Sequence, residues 1–131
     1  MITIVLCSKE KFNYTRIVDL LKEDFPSVAG NEQQVALGKF PNNLYISLPS
    51  ENMEDEIEQI EMKDSLPFIP FDNPFFTHCE FHSISTAKKV INNLLIDFPE
   101  LFIVDENDER YTAREFLQSE FDVSQGTIIR L

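Results

Sequence analysis

Two histidines and a carboxylate at alternate positions, His78, Glu80 and His82, are the residues of this chain whose types and spacing best suit chemistry. On a strand, side chains two apart point to the same face, so these three share one face while Thr77, Cys79 and Phe81 share the other. Two imidazoles and a carboxylate are a donor set for zinc or a similar ion with open coordination positions. The outer two are separated by roughly 13 Å at about 3.3 Å per residue, so joint ligation requires a bulge or a ligand from another strand. The metal reading, a small metal-dependent enzyme or sensor built on His78, Glu80 and His82, is therefore the alternative; a polar sheet face is the simpler expectation.

The H-x-E order resembles one half of the zinc-deaminase signature, but the P-C-x-x-C half is missing and no residue role carries over. Three scattered glycines build no phosphate-cradling loop, and neither G-x-S-x-G nor H-E-x-x-H occurs. Cys7 and Cys79, with no C-x-x-C, read as small apolar core residues in a reducing compartment, and the cytoplasm is the expected location. No catalytic residue and no cofactor are expected.

Charge carries more information. The chain of 131 residues has 23 acids against 11 bases, a formal charge of −12. Such a field repels phosphate backbones and anionic lipid, so nucleic acid and membrane are excluded as expected partners, and a basic protein is favoured. No apolar run reaches the length of a membrane span. The stretch from Glu51 to Asp64 holds seven acids and one base. A Pro/Phe-rich segment with Phe68 and Phe71 follows it, and a turn with four acids runs from Asp105 to Glu109. Acids at Glu54, Glu58, Glu61, Asp105, Asp108 and Glu109 with aromatic anchors at Phe68 and Phe71 form the candidate partner-binding set. Complementary charge speeds encounter and buried aromatics supply binding energy. The Pro/Phe segment has a second reading, a cover over one end of the core, and for loops with several large apolar residues that reading ranks first.

Elements that position these residues follow from periodicity. Ile2 to Cys7 is a continuous apolar, β-branched run, the mark of a central strand buried on both faces. Apolar residues at 14, 17, 18, 21 and 25 lay a stripe along a helix capped by Asn13 and stopped by Pro26. Ser27 to Asn31 reads as a loop. Gln34 to Phe40 and Leu44 to Leu48 flank Pro41-Asn42-Asn43 as a hairpin. A second helix is expected from a Ser50 cap to about Met62.

Phe75 onward is a strand, and a helix capped by Ser85 then carries Ala87, Val90, Ile91, Leu94, Leu95 and Phe98 up to Pro99. Leu101 to Val104 is a further strand. Thr112-Ala113-Arg114-Glu115 fits a capping box opening a helix to about Gln118, and Thr127 to Leu131 is a final edge strand.

Shifted by 73 positions, the first strand and helix land on the second, down to a shared Asp-Phe-Pro ending at 24–26 and 97–99. The expected fold is α+β and ferredoxin-like, two βαβ-type halves with helices on one face of a mainly antiparallel sheet and the strands at Ile2 and Phe75 side by side. One domain spans 1–131: a first half at 1–48, an acidic and Pro/Phe-rich insertion at 49–74, a second half at 75–105, and a C-terminal helix and strand at 106–131. In size, charge and lack of catalytic motifs the chain resembles small immunity proteins and antitoxins that neutralise basic toxic enzymes. That resemblance implies a non-enzymatic acidic binding module, monomeric or homodimeric. A homodimeric structural or regulatory subunit is the third reading.

Overall fold

The computed structural model describes residues 1–48, 61, 69–122 and 127–129. It is a mixed α+β fold with an open, antiparallel, seven-stranded sheet. The strands are β1 (Ile2–Ser8), β2 (Ala29–Gly30), β3 (Gln34–Leu37), β4 (Leu44–Ser47), β5 (Phe75–Phe81), β6 (Phe102–Val104) and β7 (Arg110–Thr112), in the order β2-β3-β4-β5-β1-β6-β7. Three helices are described: α1 (Tyr14–Leu21), α2 (Ile84–Leu94) and α3 (Ala113–Gln118). Among the described residues the C-terminal strands β8 (Glu120–Asp122) and β9 (Thr127–Ile129) pair only with each other. The expected final strand thus belongs to a separate ribbon rather than to the edge of the main sheet.

β1 lies between β5 and β6, as its unbroken apolar run requires. Alternation along the strands sorts the interior into two layers. Ile4 and Leu6 of β1, Cys79 and Phe81 of β5, Val35, Leu37, Leu44, Ile46 and Ile103 join the buried faces of all three helices in the main core. On the opposite face Cys7, Phe76 and Val104 form a smaller cluster, against which Val5, Phe102, Ile69 and Phe71 pack. The cysteines therefore sit on opposite faces, and both are buried free thiols.

The internal repeat is visible in the backbone. In α1, Lys22 N–H donates to Val18, Phe25 N–H to Leu21, and Val28 N–H to Phe25; 73 positions later Leu95 donates to Ile91, Phe98 to Leu94, and Leu101 to Phe98. Each helix thus closes with the same two-step turn, which runs through its Asp-Phe-Pro. Side chains tie each ending to the other helix: Arg16 Nε donates to Asp97 at 2.7 Å, and Asn93 Nδ2 donates to Asp24 at 2.8 Å. Phe12 and Phe98 pack with ring centroids 4.6 Å apart, and the Arg16 guanidinium lies 5.2 Å from the Phe98 ring. The repeat breaks after Gly30. β2 corresponds to β6, yet the β3–β4 hairpin takes the place beside β5 that symmetry would give β2.

Local chemistry accounts for the boundaries. Asn13 caps α1, its Oδ1 accepting from Thr15 and Arg16 amides. β3 stops at Leu37 because Gly38 adopts φ +73, where an added Cβ would meet Asn42 O at 2.6 Å. The peptide between Phe40 and Pro41 in the same hairpin is cis. Ser83, not Ser85, caps α2, accepting from the Thr86 amide. That choice starts the second helix three positions earlier than the repeat alone predicts. Both bonds of the Thr112–Glu115 capping box are present at the start of α3. The loop expected at 27–31 contains β2, which pairs Ala29 with Ala36 and Gly30 with Val35.

Candidate functional site

β5 carries the proposed donors, and the register shows what surrounds them. His78 is flanked by Val5 on β1 and Ser47 on β4, and Glu80 by Thr3 and Tyr45, all on the face opposite α1, α2 and α3. His82 lies just past the strand end, exposed, with its ring 5.3 Å from that of Phe40 in an edge-to-face contact. β5 pairs continuously with β1 from Phe75 to Phe81, so no bulge draws His78 and His82 together. Among the described residues no group of three His, Cys, Asp or Glu side chains is placed to hold a metal ion.

The thiols are equally remote from chemistry. Burial pushes the Cys7 thiol up to about 12 from an ordinary 9.0, and burial, reinforced by the charge of Glu80, pushes Cys79 up as well. Both are held as neutral thiols at physiological pH, which suits packing rather than attack.

The acidic turn between β6 and β7 is a built structure. Asp105 is buried; its Oδ1 accepts from the amides of Asn107 and Glu109 at 2.8 and 3.0 Å, and its Oδ2 accepts from the Tyr111 hydroxyl at 3.0 Å. A backbone bond from the Asp105 amide to the Glu109 carbonyl closes the loop, and Asp108 occupies the left-handed region at φ 60. One acid of the set is thus turned inward to shape the turn that carries the other three. Glu106, Asp108 and Glu109 are exposed, and Glu106 Oε1 also accepts from the Thr3 amide at 2.7 Å, fastening the turn to β1. Sequence alone places Asp105 with its neighbours; the signal separating it is the Asx-type spacing to Asn107 together with a tyrosine six residues on.

Of the remaining members, Glu54, Glu58 and Phe68 lie outside the described residues, as does most of the helix expected after Ser50. Glu61 is exposed. Phe71 is half-buried against the Cys7–Phe76–Val104 cluster, so this phenylalanine covers the second face of the sheet. The exposed acids on the 105–109 turn and the Phe71 cover are consequently at different levels of the surface, the first presented and the second packed.

No helix among the described residues is long and apolar enough to cross a membrane. Comparison with protein-family models, with characterised proteins and with solved structures finds no match to this chain.

Proposed function

We propose that this chain is an acidic protein-binding module that docks a basic partner, with the 105–109 turn as part of the docking surface. The observation that carries the reading is the division of labour in that turn. Asp105 spends its carboxylate on the loop, and Glu106, Asp108 and Glu109 stand outward on a backbone that needs little further ordering to bind. Preorganised charges lose less conformational freedom on association than charges on a floppy loop, so more of their attraction appears as affinity. The net charge of −12 acts in the same direction, raising the encounter rate with a basic protein. An immunity or antitoxin-type inhibitor is the specific form of module we favour, for its match of charge, size and missing catalytic motifs.

For the scaffold we propose the ferredoxin-like class. With β2, β3 and β7 set aside, β1-α1-β4 and β5-α2-β6 form two split βαβ units in the order β4-β5-β1-β6, the helices joining one core layer. Nothing about activity follows from that class, which hosts many functions.

The test is recovery of a stoichiometric basic protein bound to the native chain, followed by association kinetics at increasing ionic strength. Reversal of Glu106, Asp108 and Glu109 to lysine should slow association by about tenfold or more and flatten its salt dependence. Association that ignores both salt and the reversals would remove this reading.

A further inference from the structure

A cleft of about 440 Å³ opens between the end of α2, the start of β6 and α3, a size suited to a small ligand. Its apolar surface comes from Leu95, Leu101, Phe102 and Leu117, and its charged lining groups are Glu100 and Arg114, of opposite sign. These residues meet because the Asp-Phe-Pro turn after α2 delivers Glu100 and Leu101 to the mouth of β6, while the capping box fixes the first turn of α3 and with it Arg114.

Arg114 is unusual in its own chain. Arg16 holds both Asp97 and Glu10. Arg114 makes no hydrogen bond or ion pair among the described residues, although acids outnumber bases two to one. An unengaged guanidinium at the edge of an apolar cleft suits a carboxylate, which it can take bidentately. Glu100 accepts the Lys9 amide on Oε1 at 3.3 Å, a long bond that leaves its second oxygen for another donor.

A simple anion would approach Arg114 against the field of a chain carrying −12, whereas a molecule with both charges and no net charge would not be repelled. We propose that this cleft binds an apolar α-amino acid, with its carboxylate on Arg114, its ammonium group on Glu100 and its side chain against Leu101 and Phe102. The site is separate from the acidic turn, and its occupancy does not depend on a protein partner.

Titration of the isotopically labelled full chain with L-leucine and with L-phenylalanine, followed by amide NMR, tests this. Saturable shifts are expected at Leu101, Phe102 and the α3 residues from Ala113 to Leu117. Two probes each lacking one charge, 4-methylpentanoate and 3-methylbutylamine, should bind about tenfold more weakly or worse, as should the Arg114→Ala chain with leucine, since a charge-assisted bond is lost in each case. Arg114 is exposed, so the variant should keep the wild-type spectrum away from the cleft; Arg114→Lys should restore part of the affinity. Glu100→Gln, which keeps an acceptor for Lys9, should weaken leucine but bind 4-methylpentanoate as well as the wild type or better. The proposal is overturned by the absence of saturable shifts with either amino acid, by shifts centred elsewhere, by equal binding of the single-charge probes, or by an Arg114→Ala chain that binds as well as the wild type.

Discussion

Val5 and His78 stand directly opposite each other on the two central strands, and they are also equivalent residues of the two halves, 73 positions apart. Pairing runs from Ile2 with Phe81 to Ser8 with Phe75, so the strand register and the sequence repeat coincide at this one pair. A local two-fold axis therefore passes between them. Under it a valine corresponds to a histidine: the halves share their core layer but not the chemistry of the opposite face.

Equivalent core positions should respond alike. Leu21 and Leu94 close the two helices at the same point of the repeat, and both are fully buried. Leu21→Ala and Leu94→Ala should each destabilise by roughly 2–5 kcal/mol, through lost burial and the cavity left behind. Urea unfolding checks this; a cost confined to one of the pair would show that the halves are not energetically equivalent.

Asp105→Ala should be costly for a residue in a turn. It removes the acceptor for two amides and for the hydroxyl of buried Tyr111. An unsatisfied buried group costs roughly 1–3 kcal/mol, and the loss should fall in that range or somewhat above it. Alanine at exposed Glu109 should change stability by only about 0.5 kcal/mol or less while reducing partner association. Glu106→Ala also loses the bond to the Thr3 amide, and Asp108→Ala puts a less tolerant residue at φ 60, so each should cost about 1 kcal/mol, less than Asp105→Ala. Thermal unfolding of the four variants separates the structural acid from the presented ones.

The caps give a smaller, local effect. Asn13→Ala and Thr112→Ala should each cost about 1 kcal/mol, since each leaves amides in the first turn without an acceptor. Serine at either position should recover most of the loss, which chemical denaturation resolves.

Alkaline pH should destabilise the fold through its thiols. In the unfolded chain they ionise near 9.0, whereas folded Cys7 holds its proton to about 12 and Cys79 is raised too. The stabilisation is complete below pH 9 and is lost as pH climbs toward 12, because the unfolded state alone releases protons there. The slope is up to about 1.4 kcal/mol per pH unit for each thiol. Comparison of wild type with Cys7→Ala across that range should show the variant falling less steeply.

Periodicity and end signals made much of this architecture legible. The apolar run at Ile2, the Asn13 cap and the Thr112–Glu115 box are each local devices, and each appears where its residues place it; the helices expected to reach Pro26 and Pro99 instead end at Leu21 and Leu94, with Phe25 and Phe98 in the turn that follows. What sequence left out depends on distant partners. β2 and β7 are too short to show a pattern of their own and exist because β3 and β6 offer edges to pair with. Ser83 and Ser85 are equally good caps by type, and the backbone chose the earlier one. In the candidate site, the four acids between 105 and 109 are alike by composition, and only the spacing to Asn107 and the tyrosine at 111 mark Asp105 as the one that faces inward. Phe71 illustrates the same limit, since an apolar residue in a proline-rich stretch is compatible with cover or with display until a second sheet face is seen beside it.

The pairing of β1 with β5 also sets an order of events in folding. Ser8 meets Phe75 and Ile2 meets Phe81, so the first strand made finds its long partner only after most of the chain has been synthesised. α1 and the β3–β4 hairpin close over short loops and can form early; the centre of the sheet must wait for a contact across more than half the sequence. Contacts of such sequence separation make refolding slower than that of helical bundles, whose contacts are mostly local. The wait also leaves the apolar β1 edges unpaired while the rest emerges, so the strand on which the sheet is centred is the one most in need of protection during synthesis.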